Sequence, residues 1–168
     1  SCSGIRAVLG QALRALEELS PTLSEVAQSA ARLNSAVDAL TRADWVSLQK
    51  VLPALIAQTR SCKIARGRVG GQLIPLVARW SSTLEQSDVF DSSTYSSLTL
   101  LFRVLRNCCV DRHDVQMLFL EHGLLELMMC MPQRILSAAV ITSSDQQGEA
   151  SIEPLEPAIT CANAALQV

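Results

Sequence analysis

Aromatic residues are scarce in this 168-residue chain: three Phe, two Trp and one Tyr make up 4% of it, although apolar residues reach 49%. Leu, Ala and Val must therefore build the interior. With only seven Gly and six Pro, such a composition favours packed helices over a sheet. The length is sufficient for a proper core and for one domain, two at most. Positive charge is not in excess either. Fourteen Lys and Arg face sixteen Asp and Glu, a net charge of −2, so the electrostatic footprint of a nucleic-acid binder is missing. No apolar run approaches the ~20 residues that span a bilayer, and no membrane contact is expected. The opening SCSGIRAVLGQALRALEEL has no basic start, continuous apolar block or cleavage site of a signal peptide, and it reads as an interior cut of a longer chain.

The chemistry-bearing patterns are equally thin. Six cysteines (Cys2, Cys62, Cys108, Cys109, Cys130 and Cys161) are scattered with no Cys-x-x-Cys pair. Neither a metal site nor a disulfide framework has the spacing it needs. Reduced thiols, mostly on apolar helix faces, fit a cytosolic or nuclear protein. The two histidines, His113 and His122, do not stand at i, i+4 on one helical face, so no metal is expected. There is no GxSxG, and no phosphate-binding GxxxxGK[ST] pattern organises the basic segment CKIARGRVGG at 62–71. That segment reads as a solvated short helix ending at Gly70-Gly71. Cys109 stands near Arg112, which would lower a thiol's pKa, but core packing explains this cysteine better. No catalytic residue and no cofactor are expected.

What is present is concentrated between Leu98 and Met131. Leu98, Leu101, Phe102, Leu105 and Cys108 or Cys109 recur at three- and four-residue spacing, one face of a helix beginning near Thr94. Asp111 suits the N-cap of a second, short helix carrying Val115, Leu118 and Phe119. His122-Gly123 ends that helix, with glycine in the left-handed C-cap position. Leu124, Leu125, Leu127, Met128 and Met131 then open a helix that is apolar on more than one face, the pattern of a helix sandwiched between neighbours.

Helix, short helix, glycine and buried helix follow one another as in an armadillo-type junction. The run Phe102-Arg103-Val104-Leu105-Arg106-Asn107 with the following EHGLLELM turn resembles armadillo repeats, and among these most the ataxin-10 group, where a Phe-Arg-x-Leu-Arg-Asn run holds the same place. The resemblance rests on a short part of the chain. It implies an all-α, right-handed helical solenoid, with Asn107 on a concave face where such an asparagine binds an extended peptide backbone. Peptide-binding armadillo proteins place a tryptophan one turn before that asparagine; here Arg103 stands there. That departure argues against basic nuclear-import peptides and favours acidic or carbonyl-rich partners.

Elsewhere, Ile5 to Leu19 stripes a first helix and Leu23 to Leu40 a second. Trp45, Leu48, Leu52, Leu55 and Ile56 mark a third, kinked or restarted at Pro53. Gly70-Gly71 before QLIPLVARW echoes Gly123 before LLELMMCM, an internal repeat signal. Its period exceeds the ~40–47 residues of an ordinary armadillo repeat. Serine-rich and acidic stretches predict loops near 86–93 and 143–157, and Ser92, Ser93 and Ser96 are candidate phosphate acceptors. A last helix follows Pro157.

The sequence thus predicts a single armadillo-like helical domain over 1–168, the N-terminal part of a longer solenoid, in the cytoplasm or nucleus. Its expected work is non-enzymatic: scaffolding of protein partners through a concave face, with Arg103 and Asn107, and more weakly Arg106 and Arg79, reaching the partner. A truncated apolar end also suggests self-association. The rival readings are a regulator of a small GTPase, a helical-bundle enzyme and a plain structural element of a solenoid.

Overall fold

A computed structural model of the protein describes residues 27–84, 92–144 and 155–165. These residues form helices joined by tight corners: α1 (27–41), α2 (Trp45–Ser61), α3 (Lys63–Leu84), α4 (Ser92–Cys109), α5 (His113–Glu121), α6 (Leu124–Ser144) and α7 (Leu155–Ala165). No strand occurs among the described residues, and none of their helices is long and apolar enough to cross a membrane. The first sequence-predicted helix, Ile5 to Leu19, lies outside the described residues.

The corners show why the helices stop where they do. After α1 the chain turns at Ala43, whose φ is 53°. Ala43 N donates to Leu40 O (3.2 Å) and Asp44 N to Ala39 O (2.9 Å), so two otherwise orphaned carbonyls are satisfied. Asp44 then accepts from Ser47 N at 3.0 Å and caps α2. The Ser47 side chain, and then that amide, hold the Asp44 carboxyl below its usual range. At the end of α5, Gly123 takes φ 67° and its amide donates to Leu120 O.

The α4–α5 corner differs from the sequence expectation. Asp111 does not cap α5; it sits in the left-handed region itself (φ 53°), a conformation aspartate tolerates better than most residues. Arg112 occupies the cap position and makes no capping bond with its side chain. Negative charge in the first turn comes instead from Asp114.

Three further expectations are corrected. Gly70-Gly71 ends nothing, because α3 runs through both. Gly70 is buried, and a Cβ there would lie 2.7 Å from Val115 Cγ1 and 3.3 Å from Cys108 Cβ. Glycine at this position is a close-approach device, and the echo with the Gly123 turn is therefore not structural. Secondly, α2 does not restart at Pro53: Leu52 and Leu55 on either side are both fully buried in one unbroken helix. Thirdly, the edges of the predicted loops are helical, since α4 already begins at Ser92, α6 reaches Ser144 and α7 starts at Leu155; the rest of both loops lies outside the described residues.

α4 is the centre of the packing. It lies between α2 and α7, which do not touch each other, and it also packs on α3 and α5. Ser97 Oγ reaches Trp45 O (2.8 Å) at one end, and Asn107 Nδ2 reaches Ile56 O and Thr59 Oγ1 (3.4 Å each) at the other. Sequence position therefore rises in the same direction along α2 and α4, which makes them parallel neighbours, and α3, which connects them in sequence, packs against both. α6 packs on α7 and touches α3 and α5. One core cluster runs from Leu33 to Ala164, with Leu98, Leu101, Phe102, Val104 and Leu105 of α4 at its heart.

Candidate functional site

Side chains of α2, α4 and α7 line an open groove of about 550 Å3. Gln49 comes from α2, Ser96, Thr99, Leu100 and Arg103 from α4, and Pro157 and Thr160 from α7. The helical period creates it. Leu98, Leu101, Phe102 and Leu105 turn inward with almost no exposure, which leaves 96, 99–100 and 103 one above the other on the opposite stripe. The floor is fixed by local bonds: Thr99 Oγ1 donates to Tyr95 O at 2.9 Å, and the Cys161 thiol hydrogen-bonds to Thr99. Burial pushes Cys161 up to about 12 despite that bond, so it is a packing group and not a nucleophile.

Arg103 is exposed on this groove and makes no hydrogen bond or ion pair with any described residue. The three groove helices contain Lys50, Arg60, Arg103 and Arg106 against one acid, Glu156 of α7, and Asp44 caps the start of α2, in a chain whose overall charge is −2. Lys50 and Arg60 are exposed. Sequence reading found Arg103 but missed this excess of cations, which appears only when α2 and α4 are known to be neighbours.

The other candidate residues are placed differently. Asn107 is half-buried and directed at α2, where its amide group bridges to Ile56 O and Thr59 Oγ1. Arg106 is half-buried. Arg79 lines a separate recess of about 180 Å3 between α1 and α3, with Leu40, Thr41, Leu76 and Trp80. Arg103 and Arg79 thus do not converge on one site. Ser96 lies in the groove wall within a helix and not in a loop.

Among the described residues no three His, Cys, Asp or Glu side chains come together as a metal site. Cys109 does not have the lowered thiol expected beside Arg112: burial raises it. The Arg112 guanidinium is committed to Asp114 (Nε–Oδ1 2.8 Å, with a second bond from Nη2 to Oδ2) and to Lys63 O. Cys108 is pushed up to about 12 by burial and by its neighbour Cys109. In the basic segment 62–71, Lys63 and Arg68 are exposed but Arg66 is held in place. Arg66 donates from Nε to Thr59 O (2.8 Å), from Nη2 to Arg60 O (3.0 Å) and from Nη1 to Val110 O (3.1 Å), tying the ends of α2 and α4 together.

No protein family, curated protein or solved structure matches this chain.

A further departure from sequence reading concerns α6. Leu124, Met128, Met131 and Ile135 are buried, but Leu125, Met129 and Leu136 are 48%, 71% and 39% exposed. Over 124–137, where its side chains are described, the helix keeps an apolar stripe exposed and is not enclosed on all its apolar faces.

Proposed function

We propose that the protein is a non-enzymatic interaction scaffold, an armadillo-type solenoid segment that offers its α2–α4–α7 face to protein partners. The observation that carries this reading is the groove built from three helices that are neighbours in space but not in sequence. Helix α3 packs on α2 and α4, α6 packs on α7, and α3 touches α6, contacts compatible with stacked helical repeats. The Phe102–Asn107 run supports the same reading through its resemblance to the ataxin-10 group. Its apolar members are core residues and Arg103 is on the groove. The groove residues supply an amide, hydroxyls and a guanidinium without a nucleophile–base pair, which suits binding better than catalysis.

Affinity capture with the intact chain tests this. Wild type is compared with Gln49→Trp/Thr160→Trp, two exposed positions at which large side chains would plug the groove without entering the core. Partners captured by wild type and lost with the plugged variant, at unchanged helicity and melting temperature, are the expected result. Identical partners with both baits would overturn the reading.

A further inference from the structure

Charge is segregated along this chain. Helices α2, α3 and α4 carry eight Lys and Arg and no Asp or Glu, although the molecule is net negative. The densest run is 60–68, RSCKIARGR, with four cations and no acid. We infer that the corner holding this run docks on an anionic lipid surface, with Arg60, Lys63 and Arg68 against the headgroups and Ile64 entering the interfacial layer. The inference lies beyond the scaffold reading and does not rest on it.

The corner is assembled from several elements. Arg66 donates to Thr59 O, Arg60 O and Val110 O, which pins the end of α2, the start of α3 and the end of α4 together. Gly67 leaves the space that the Arg112 guanidinium fills, since a Cβ there would meet it. Arg112 also donates to Lys63 O at 3.1 Å. With Arg66 and Arg112 fixed, the outer cations are Arg60, Lys63 and Arg68, all exposed and without an ion pair among the described residues. Two acids belong to the same corner: Asp114 is paired with Arg112, and Asp111 lies 3.8 Å from Arg66. Five cations against these two acids leave the corner net positive, and an anionic surface attracts it.

Apolar exposure at the same place is the second observation. Ile64 is 79% exposed, and Val110, whose carbonyl Arg66 holds, is 44% exposed. Ala65 and Val69 of α3 face the core, so Ile64 and Arg68, one turn apart, share the outer flank of the helix. An aliphatic side chain set among cations matches a surface that is anionic outside and apolar just beneath. A nucleic acid would answer the cations but not Ile64, and 60–68 and 110–114 contain no Phe, Tyr or Trp on which a base could stack. This departs from the expectation of no membrane contact. No described helix is long and apolar enough to cross a bilayer, but docking on its surface needs no spanning segment.

Co-sedimentation of the full chain with vesicles tests the inference. One set is phosphatidylcholine alone and the other contains about one-third phosphatidylserine; a mixed-sequence DNA duplex is assayed beside them by electrophoretic shift. The variants are Lys63→Gln, Arg68→Gln, Ile64→Ser, and Arg42→Gln as a charge-matched control beyond the opposite end of α2. All four side chains are exposed, and circular dichroism verifies that each variant is folded. The expected result is binding to the phosphatidylserine vesicles alone. Lys63→Gln and Arg68→Gln should each weaken it about fivefold, Ile64→Ser should weaken it about tenfold, and Arg42→Gln should leave it unchanged. Weakening by Arg42→Gln equal to that by Lys63→Gln and Arg68→Gln would reduce the effect to net charge and overturn the proposal. Indifference to Ile64→Ser would overturn it too, because nothing would then enter the interfacial layer. Equal uptake by both vesicle sets, uptake by neither, or a DNA shift without vesicle binding would each sink the lipid assignment.

Discussion

Two adjacent glycines in α3 should respond in opposite senses to the same substitution. Gly71 is exposed and an added Cβ would meet nothing within 4 Å. Gly71→Ala therefore realises only the gain in helix propensity, about 1 kcal/mol. Gly70→Ala makes the same gain and restricts the unfolded chain equally. Its Cβ, however, would stand 2.7 Å from Val115 Cγ1, 3.3 Å from Cys108 Cβ and 3.4 Å from Val115 Cγ2. Val115 is buried on α5 and β-branched, so one rotamer dominates and it cannot swing aside. The clash must then be relieved by moving α5 away from α3, at about 1–3 kcal/mol. The net effect is about 1 kcal/mol of destabilisation for Gly70→Ala against about 1 kcal/mol of stabilisation for Gly71→Ala, which would separate their melting temperatures by about 4–8 °C. Urea unfolding followed by far-UV circular dichroism measures both. Adding Val115→Ala to Gly70→Ala should recover part of the clash term in a double-mutant cycle. If Gly70→Ala stabilises the protein as much as Gly71→Ala, the close approach of α3 to α5 is wrong, and the α4–α5 corner with it.

Other expectations are as direct. Arg66→Lys should lower stability by about 1–2 kcal/mol, because an ammonium cannot reach Thr59 O, Arg60 O and Val110 O together; a urea midpoint equal to wild type would show that the three-carbonyl tie contributes nothing. Asp114 accepts hydrogen bonds from Arg112, which hold its carboxyl at about 2 against an ordinary 3.8. Its contribution to stability is complete above 3.8 and is lost as pH falls from 3.8 towards 2. Asp114→Asn should therefore flatten the pH dependence of the melting temperature in that window, and an unchanged slope would count against the pair.

The all-helical class followed from composition and periodicity, because inward and outward positions on a helix repeat at 3.6 residues whatever the partner is. The apolar members of Leu98–Leu105 were legible for that reason, and so was Gly123, whose left-handed backbone is a local property. Arg103 could be named from its place in the Phe102–Asn107 run. That it has no ion-pair partner among the described residues could not, since that depends on which helices stand beside α4. Gly70 misled the sequence reading: a glycine pair signals a turn and a close helix approach equally well, and only the position of Val115 distinguishes them. Asp111 likewise exchanged a cap for a left-handed corner, two roles its side chain fits with similar ease. Amino-acid order alone determined which residues are helical and which stripe of each helix is apolar, because those are short-range matters of backbone and hydrophobic period. Tertiary structure decided that α2, α4 and α7 form one lined groove, that Arg66 and Arg112 are occupied while Arg103 is not, and that α6 keeps an apolar stripe exposed. Those outcomes depend on contacts between residues tens of positions apart, which no local pattern encodes.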